Sequence, residues 1–292
     1  MLTLELLEEL VAFQKYGTLS SAAEHLMVTQ PTITRGMKKI EEQLGVQLFD
    51  RSVRNRIRLN ETGILAATEA AKLLQSYQNF ENKVRNHALQ KNKIIVSSVL
   101  PGPLMLLELL EAQLNCDFQF ETNLITAGEV ISLLDDFSTH LIFTDQEIET
   151  SDIESMYLGV EKLSVALDNF NPLAQHSSVN FKQLANLTFL ADKNIGPWRD
   201  ILESNIPDAT FLYQEKFEAV NKLSQYSNFS FFFSKLSCNS EVMLDRFSTN
   251  SRTLVKIDDP NNSVEIFGTY HKSKRKLIQP ILKKLIQNWP NN

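Results

Sequence analysis

The sequence predicts a two-part chain of mixed class, a small helical module extended by one long helix and then an α/β part of about 200 residues. Three observations carry this. Ile33, Met37, Ile40 and Leu44 recur at helical spacing behind two cap signals. Residues 61–90 contain no proline and a single glycine, Gly63. From Ile94 onward, short apolar runs alternate with helical stretches.

In chain order, Ser21 with Glu24 three residues later has the spacing of a capping box, so a first short helix is expected to begin near Ser21. Thr29 is placed to cap a second helix. Pro31 fits its first turn, where the missing N–H would have had no helical partner. The apolar stripe from Ile33 to Leu44 then faces inward, and Gln30, Thr34, Arg35 and Lys38 lie on the opposite face. These are side chains that a major groove rewards, since Gln can bond an adenine edge and Arg a guanine edge. They are equally the side chains of an ordinary solvated helix face.

Charge separates the two readings. Residues 28–58 carry seven Lys or Arg against three acids, an excess of four, in a chain whose net charge is −6. Positive charge gathered on one short segment of an acidic protein fits a phosphate-binding footprint. Four of the arginines fall between Arg51 and Arg58. From Arg54 to Leu59 the alternation sends Arg56 and Arg58 one way and Ile57 and Leu59 the other, as on a half-buried basic strand.

Asn60 is placed to cap the long helix expected over 61–90. Along it Ala66, Ala70, Leu73, Tyr77, Phe80 and Val84 keep a 3.5-residue period, which favours a two-helix seam, although an ordinary amphipathic helix has similar spacing. After Lys91-Asn-Lys93 the expected elements are strands at 94–99, 118–125 and 141–143, with helices near 103–114 and 129–137. Strands at 163–167, 188–191, 210–213, 229–233 and 264–270 follow, with helices between. The alternation indicates a sheet covered on both faces, and the length suffices for one sizeable core or two smaller ones.

Residues 4–63 resemble the N-terminal domain of LysR-type transcriptional regulators. The likeness lies in GTLSSAAE at 17–24, Leu26, TQPTITR at 29–35, KKIEEQLG at 38–45, Leu48-Phe49 and Arg51. It implies a winged helix-turn-helix over 1–60, in which 30–38 enter the major groove of double-stranded operator DNA and the 51–58 hairpin lies along the backbone or minor groove. The DNA-contacting set so implied is Ser20, Ser21, Thr29, Gln30, Pro31, Thr32, Thr34, Arg35, Lys38, Arg51, Arg54 and Arg56. It further implies a homodimer through a linker helix at 61–90, with pairing to tetramers. One departure is Gly36, where the family has a longer residue. Glycine inside a helix costs about 1 kcal/mol relative to alanine, and a close approach to phosphate or simple drift would explain it.

Residues 91–292 resemble, by pattern, that family's effector domain, a periplasmic-binding-protein-like α/β domain of two subdomains, here 93–160 with 267–292 and 161–266. The crossing between them is expected within 157–173. The resemblance implies a small-molecule effector in a cleft at strand ends and helix N-termini, where free amides favour anions. Matching positions are Ser97, Ser98, Leu100, Pro101, Gly102, Thr126, Ala127, Asp192, Lys193 and Asn194, residue types that also serve as ordinary caps and turns. The stretch 226–233 ends in three phenylalanines and lacks the family's glycine. It reads as a buried strand, or as an aromatic edge that narrows or closes the cleft, the latter leaving a regulator without a ligand.

Little supports catalysis. His25, His87, His140, His176 and His271 show no metal-ligand spacing, and HExxH, GxSxG, GxxxxGKS and GxGxxG patterns are absent. No metal or cofactor is expected. Cys116 and Cys238 fall in different expected subdomains, which fits free thiols of a cytoplasmic protein rather than a redox pair. Residues 1–13 carry acids at 5, 8 and 9 and do not read as a signal peptide, and no run is apolar enough for a membrane span. Two function classes remain: a DNA-binding regulator answering to a small molecule, and a solute-binding or enzymatic α/β domain whose N-terminal helices serve assembly.

Overall fold

In the computed structural model, residues 1–50, 57–89, 93–215, 222–223, 226–237 and 252–290 are described. They form two compact units, Met1–Val84 and Arg85–Asn292.

The first unit opens with helices α1 (Leu4–Tyr16), α2 (Leu19–His25) and α3 (Gln30–Leu44). Gly17 ends α1 in the left-handed region at φ 74°, where glycine avoids the Cβ penalty, and its N–H returns to the Phe13 carbonyl. The cap of α2 is Thr18, whose side chain accepts from the Ser21 N–H at 3.1 Å. The helix therefore starts two residues before the position expected from Ser21 and Glu24. Thr18 has the extended backbone that a cap needs, and Ser21 is already inside the turn. Thr29 occupies the cap position of α3 with extended backbone, but its hydroxyl engages Thr32 Oγ1 at 2.9 Å instead of a free amide.

Ile33, Met37 and Ile40 are buried as the stripe requires and join Leu10, Phe13 and Leu48 in one core. Leu44 does not follow them. It is 43 % exposed beside Gly45, where the chain turns away from the core. Gly36 is buried too, and a Cβ there would lie 1.6 Å from Glu9 Oε2 on α1. The glycine therefore makes room for an acidic side chain on the neighbouring helix; it does not mark an approach to phosphate.

Glu9 is 8 % exposed, and its Oε2 has no hydrogen-bond partner among the described residues. Burial, then repulsion from Glu5, raises its pKa. A raised carboxyl favours the fold below its unfolded pKa near 4.5, and this contribution is lost as pH rises through the folded value. Glu9→Gln should therefore stabilise the N-terminal unit at pH 7, by about 1 kcal/mol, and the gain should vanish near pH 4. Thermal melts across pH check this, and an equal gain at both pH values would refute it.

Strands β1 (Phe49–Asp50) and β2 (Arg58–Leu59) pair antiparallel, Phe49 with Leu59 and Asp50 with Arg58. Glu41 on α3 holds the entry to this ribbon, its Oε1 accepting from the Leu48 and Phe49 N–H groups at 2.8 and 3.2 Å. Arg58 is exposed, and so is Ile57 at 40 %, against the expectation that Ile57 lies on the covered face of the strand. Residues 51–56, the first part of the hairpin expected over 51–58, lie outside the described residues. Asn60 caps the long helix α4 (Glu61–Leu89) as expected, accepting from the Gly63 N–H at 2.8 Å. The seam expected on α4 splits. Ala70 is in the core of the first unit, whereas Leu73, Tyr77, Phe80 and Val84 stand exposed on one stripe.

Among its described residues the second unit holds two larger sheets and a two-stranded pair. Its elements are β3 (Ile94–Ser98), α5 (Pro101–Leu110), β4 (Phe118–Phe120), α6 (Val130–Asp135), β5 (Leu141–Thr144), β6 (Ile153–Glu161) and β7 (Leu163–Asp168). Then come β8 (Ser178–Val179), β9 (Thr188–Asp192), α7 (Trp198–Asn205), β10 (Thr210–Gln214), β11 (Phe231–Ser234), β12 (Arg252–Ile257), β13 (Val264–His271) and α8 (Arg275–Gln287). The first sheet has the order β4-β3-β5-β13-β6, with the β3 pairings parallel and the β13 pairings antiparallel. The second is β11-β7-β12-β8, and β9 with β10 adjoins it through a bridge from Phe189 to Ser230. One apolar core runs through both.

The chain crosses between the sheets twice at one place. β6 ends at Glu161 and β7 begins at Leu163, while the return runs from Ile257 to Val264. Buried Asn262 ties the two crossings, since its Nδ2 donates to the Leu163 and Ile257 carbonyls at 2.8 and 2.9 Å and its Oδ1 accepts from Leu163 N–H at 3.0 Å. Strand β13 already pairs at Val264 with Glu161, three residues before the return expected at 267. β6, β8 and β12 have no counterpart among the expected strands. The strand expected over 118–125 stops at Phe120, and the residues after it form a loop.

Candidate nucleic-acid interface and ligand cleft

Most of the residues named for DNA contact gather on one surface of the first unit. Ser20, Thr29, Gln30, Pro31, Thr32, Arg35 and Lys38 are exposed, while Ser21 and Thr34 are half-buried. Ser20 Oγ donates to Gln30 Oε1 at 3.2 Å, linking α2 to the first residue of α3. Thr34 Oγ1 donates to the Gln30 carbonyl at 3.0 Å and Ser21 is tied to Thr18, so both hydroxyls have partners close by in sequence. Arg35 and Lys38 have no ion pair or hydrogen bond among the described residues. Two unpaired cations on a helix whose first turn is exposed can meet phosphate or a base edge without breaking an existing contact. Arg51, Arg54 and Arg56 lie outside the described residues.

The second unit contains a largely apolar cleft of about 530 Å³. It is lined by the first turns of α5, the loop after β4, the end of β9 with the turn into α7, and β11. Of the residues named for an effector, Pro101, Gly102, Asp192 and Asn194 line it. The other six do not. Ser97, Ser98 and Leu100 are buried in the fold behind it, with Leu100 N–H donating to Ser98 Oγ at 3.2 Å. Thr126 and Glu129 form a capping box, Ala127 is exposed in the turn they start, and Lys193 pairs with Glu215 at 2.6 Å. A capping box and its turn hold Thr126 and Ala127, and an ion pair holds Lys193. The phenylalanine run does reach the cleft: Phe231, Phe232 and Phe233 all line it.

Glu161 is missing from the set named by sequence. It ends β6, is 4 % exposed and faces the cleft. Trp198 Nε1 donates to its Oε2 at 3.1 Å and Ser234 Oγ to its Oε1 at 2.5 Å. Burial pushes its pKa up, and these two hydrogen bonds act the other way. Gly102 approaches so closely that a Cβ would lie 2.2 Å from Glu161 Oε1. Sequence offers only a weak signal, a Glu at the end of a strand; the pairing with Gly102 becomes visible once β6 and α5 are adjacent.

His140 is buried, and its pKa is held down to about 4, by burial first and then by Lys274. Its Nδ1 accepts from Ile95 N–H at 3.0 Å, so the neutral ring serves the sheet. Among the described residues no cluster of His, Cys, Asp and Glu could hold a metal ion. Cys116 is a half-buried free thiol, and Cys238 lies outside the described residues. Among the described residues no helix is long and apolar enough to cross a membrane.

Residues 4–64 match the family model described as bacterial regulatory helix-turn-helix protein, lysR family. The chain is 24 % identical over 198 residues to the malolactic fermentation system transcriptional activator of Lactococcus lactis, covering 65 % of each chain. It is 23 % identical over 185 residues to an uncharacterised helix-turn-helix regulator, YvbU, of Bacillus subtilis, covering 63 % of each. The chain thus spans less than two thirds of the length of these curated relatives. The structure of a full-length OxyR variant from Pseudomonas aeruginosa shares the fold, with a TM-score of 0.54 at 20 % identity, over 98 % of this chain and 95 % of that one.

Proposed function

We propose that the chain, whose residues 4–64 match the lysR family of bacterial regulatory helix-turn-helix proteins, is a sequence-specific DNA-binding transcriptional regulator acting in the cytoplasm. One observation carries the reading: Arg35 and Lys38, without a partner among the described residues, stand on the exposed face of α3 in an otherwise acidic protein. Gln30, Thr34 and Arg35 read base edges in the major groove, and Lys38 with Arg58 and the ribbon arginines 51, 54 and 56 engages phosphates. The division into a DNA-binding part at 1–60, a linker helix at 61–90 and an effector part at 91–292 follows. The cleft of the last holds a small molecule whose binding alters operator contacts. A catalytic or solute-carrying α/β protein with assembly helices has weaker support, since assembly gives no reason for unpaired cations on one helix face.

The test is selection of genomic DNA fragments by the purified full-length protein at two salt concentrations. A partly palindromic site should be enriched, with affinity falling steeply as salt rises. Binding without sequence preference would leave only the electrostatic half of the proposal standing. The exposed stripe of Leu73, Tyr77, Phe80 and Val84 makes α4 the dimer seam. Phe80→Asp in the full chain is expected to weaken dimerisation at least about tenfold in sedimentation or light scattering. An unchanged dimer would place the seam elsewhere.

A further inference from the structure

The charge of the cleft points to a particular class of ligand, an inference that rests on reading the cleft as an effector site. Its charged lining residues are all acids: Glu108, Glu121, Glu161, Asp192 and Glu215, and no Lys, Arg or His lines it among the described residues. Lys193, next to Asp192, is already paired with Glu215.

The expected anion site at the start of α5 is absent in chemical terms. Pro101 and Pro103 both lack an N–H, which removes two of the donors that a helix start presents. The remaining positive end of the helix is approached by the protein's own Glu161, admitted by Gly102. A carboxylate ligand brought to the same place would meet a like charge in a partly dry pocket, at a cost that low dielectric magnifies.

Glu161 has the opposite property. Both of its partners, Trp198 and Ser234, are neutral donors, and no cation balances it among the described residues. Its carboxylate faces a cavity walled by Leu104, Phe120, Leu190 and the β11 phenylalanines. We propose that the cleft takes a ligand with an ammonium or similar cationic head on an apolar body, the head seated against Glu161 and the body against the phenylalanine wall. Aromatic faces add to the attraction for such a head.

The test uses the full-length protein and nine probes: phenylpropyl, indolylethyl and hexyl bodies, each bearing an amine, a carboxylate or an alcohol. Affinities come from calorimetry and thermal shift. The amines are expected to bind at least about tenfold more tightly than the matching acids. Glu161→Gln should bring amine affinity down to that of the alcohols, whereas Glu265→Gln, on an exposed face of β13, should leave it unchanged. Acids that bind as well as amines, or amine binding that survives Glu161→Gln, would overturn the charge assignment while leaving the effector cleft standing. If no probe of any charge binds, the effector reading falls with it. Should the glutamine variant not fold, the amine-to-acid ratio of the wild-type protein decides.

Discussion

Replacing Gly196 by alanine is expected to destabilise the C-terminal unit by about 3 kcal/mol or more. Gly196 lies in the turn from β9 into α7 at φ +57°, a conformation costing an L-residue about 1–2 kcal/mol. The larger contribution is steric. A Cβ would lie 2.0 Å from the Val99 carbonyl oxygen and 3.3 Å from Leu100 Cα, both backbone atoms with no rotamer to escape into. Val99 is fixed in turn by its N–H bond to the Phe143 carbonyl at 3.0 Å, so relief requires the segment after β3 and the turn before α7 to separate. Gly128→Ala is the control, since a Cβ there meets only Thr126 Oγ1 at 4.0 Å. Urea unfolding of both variants reads the difference. A loss at Gly196 no larger than at Gly128 would mean that the close approach is not maintained in solution.

The second large effect is expected at Arg35. Arg35→Ala should lower affinity for the selected operator about 10- to 100-fold, the worth of one good base contact, while binding to unrelated duplex falls far less. Lys38→Ala should weaken both about equally and reduce the slope of log affinity against log salt by about one. Arg35 is exposed and makes no ion pair or hydrogen bond among the described residues, so its removal should leave the melting temperature in place. Uniform weakening by both variants would show that α3 lies along the backbone and does not read bases.

Helical periodicity and caps make the first unit legible, because α3, the start of α4 and its Asn60 cap are determined by neighbours in sequence. The error at Ser21 arises because two hydroxyls three residues apart both satisfy a cap pattern, and only backbone dihedrals distinguish Thr18 as the cap. The pairing of Gly36 with Glu9 is a contact between helices that spacing within one helix cannot reveal. In the second unit the apolar strands are readable, whereas β6 is not. Its burial pattern is irregular, with Tyr157 49 % exposed and Glu154 bonded to Arg275 of α8. For the cleft, residues matched by position are right where α5 and β9 line it. They fail where another bond has already claimed the side chain, as at Ser98, Thr126 and Lys193.

The order of strands in the first sheet has a consequence for the way the chain is made. β13 lies between β5 and β6, so β6 has no sheet neighbour until residues 264–271 have emerged from the ribosome, about a hundred residues later. The second sheet is drawn from the continuous stretch between β7 and β12, and it can assemble during that interval. Until then the β5 edge is an unpaired template for other chains. Variants that slow the arrival of β13, or truncations before it, should therefore reveal themselves first as aggregation during synthesis, ahead of any loss of DNA binding.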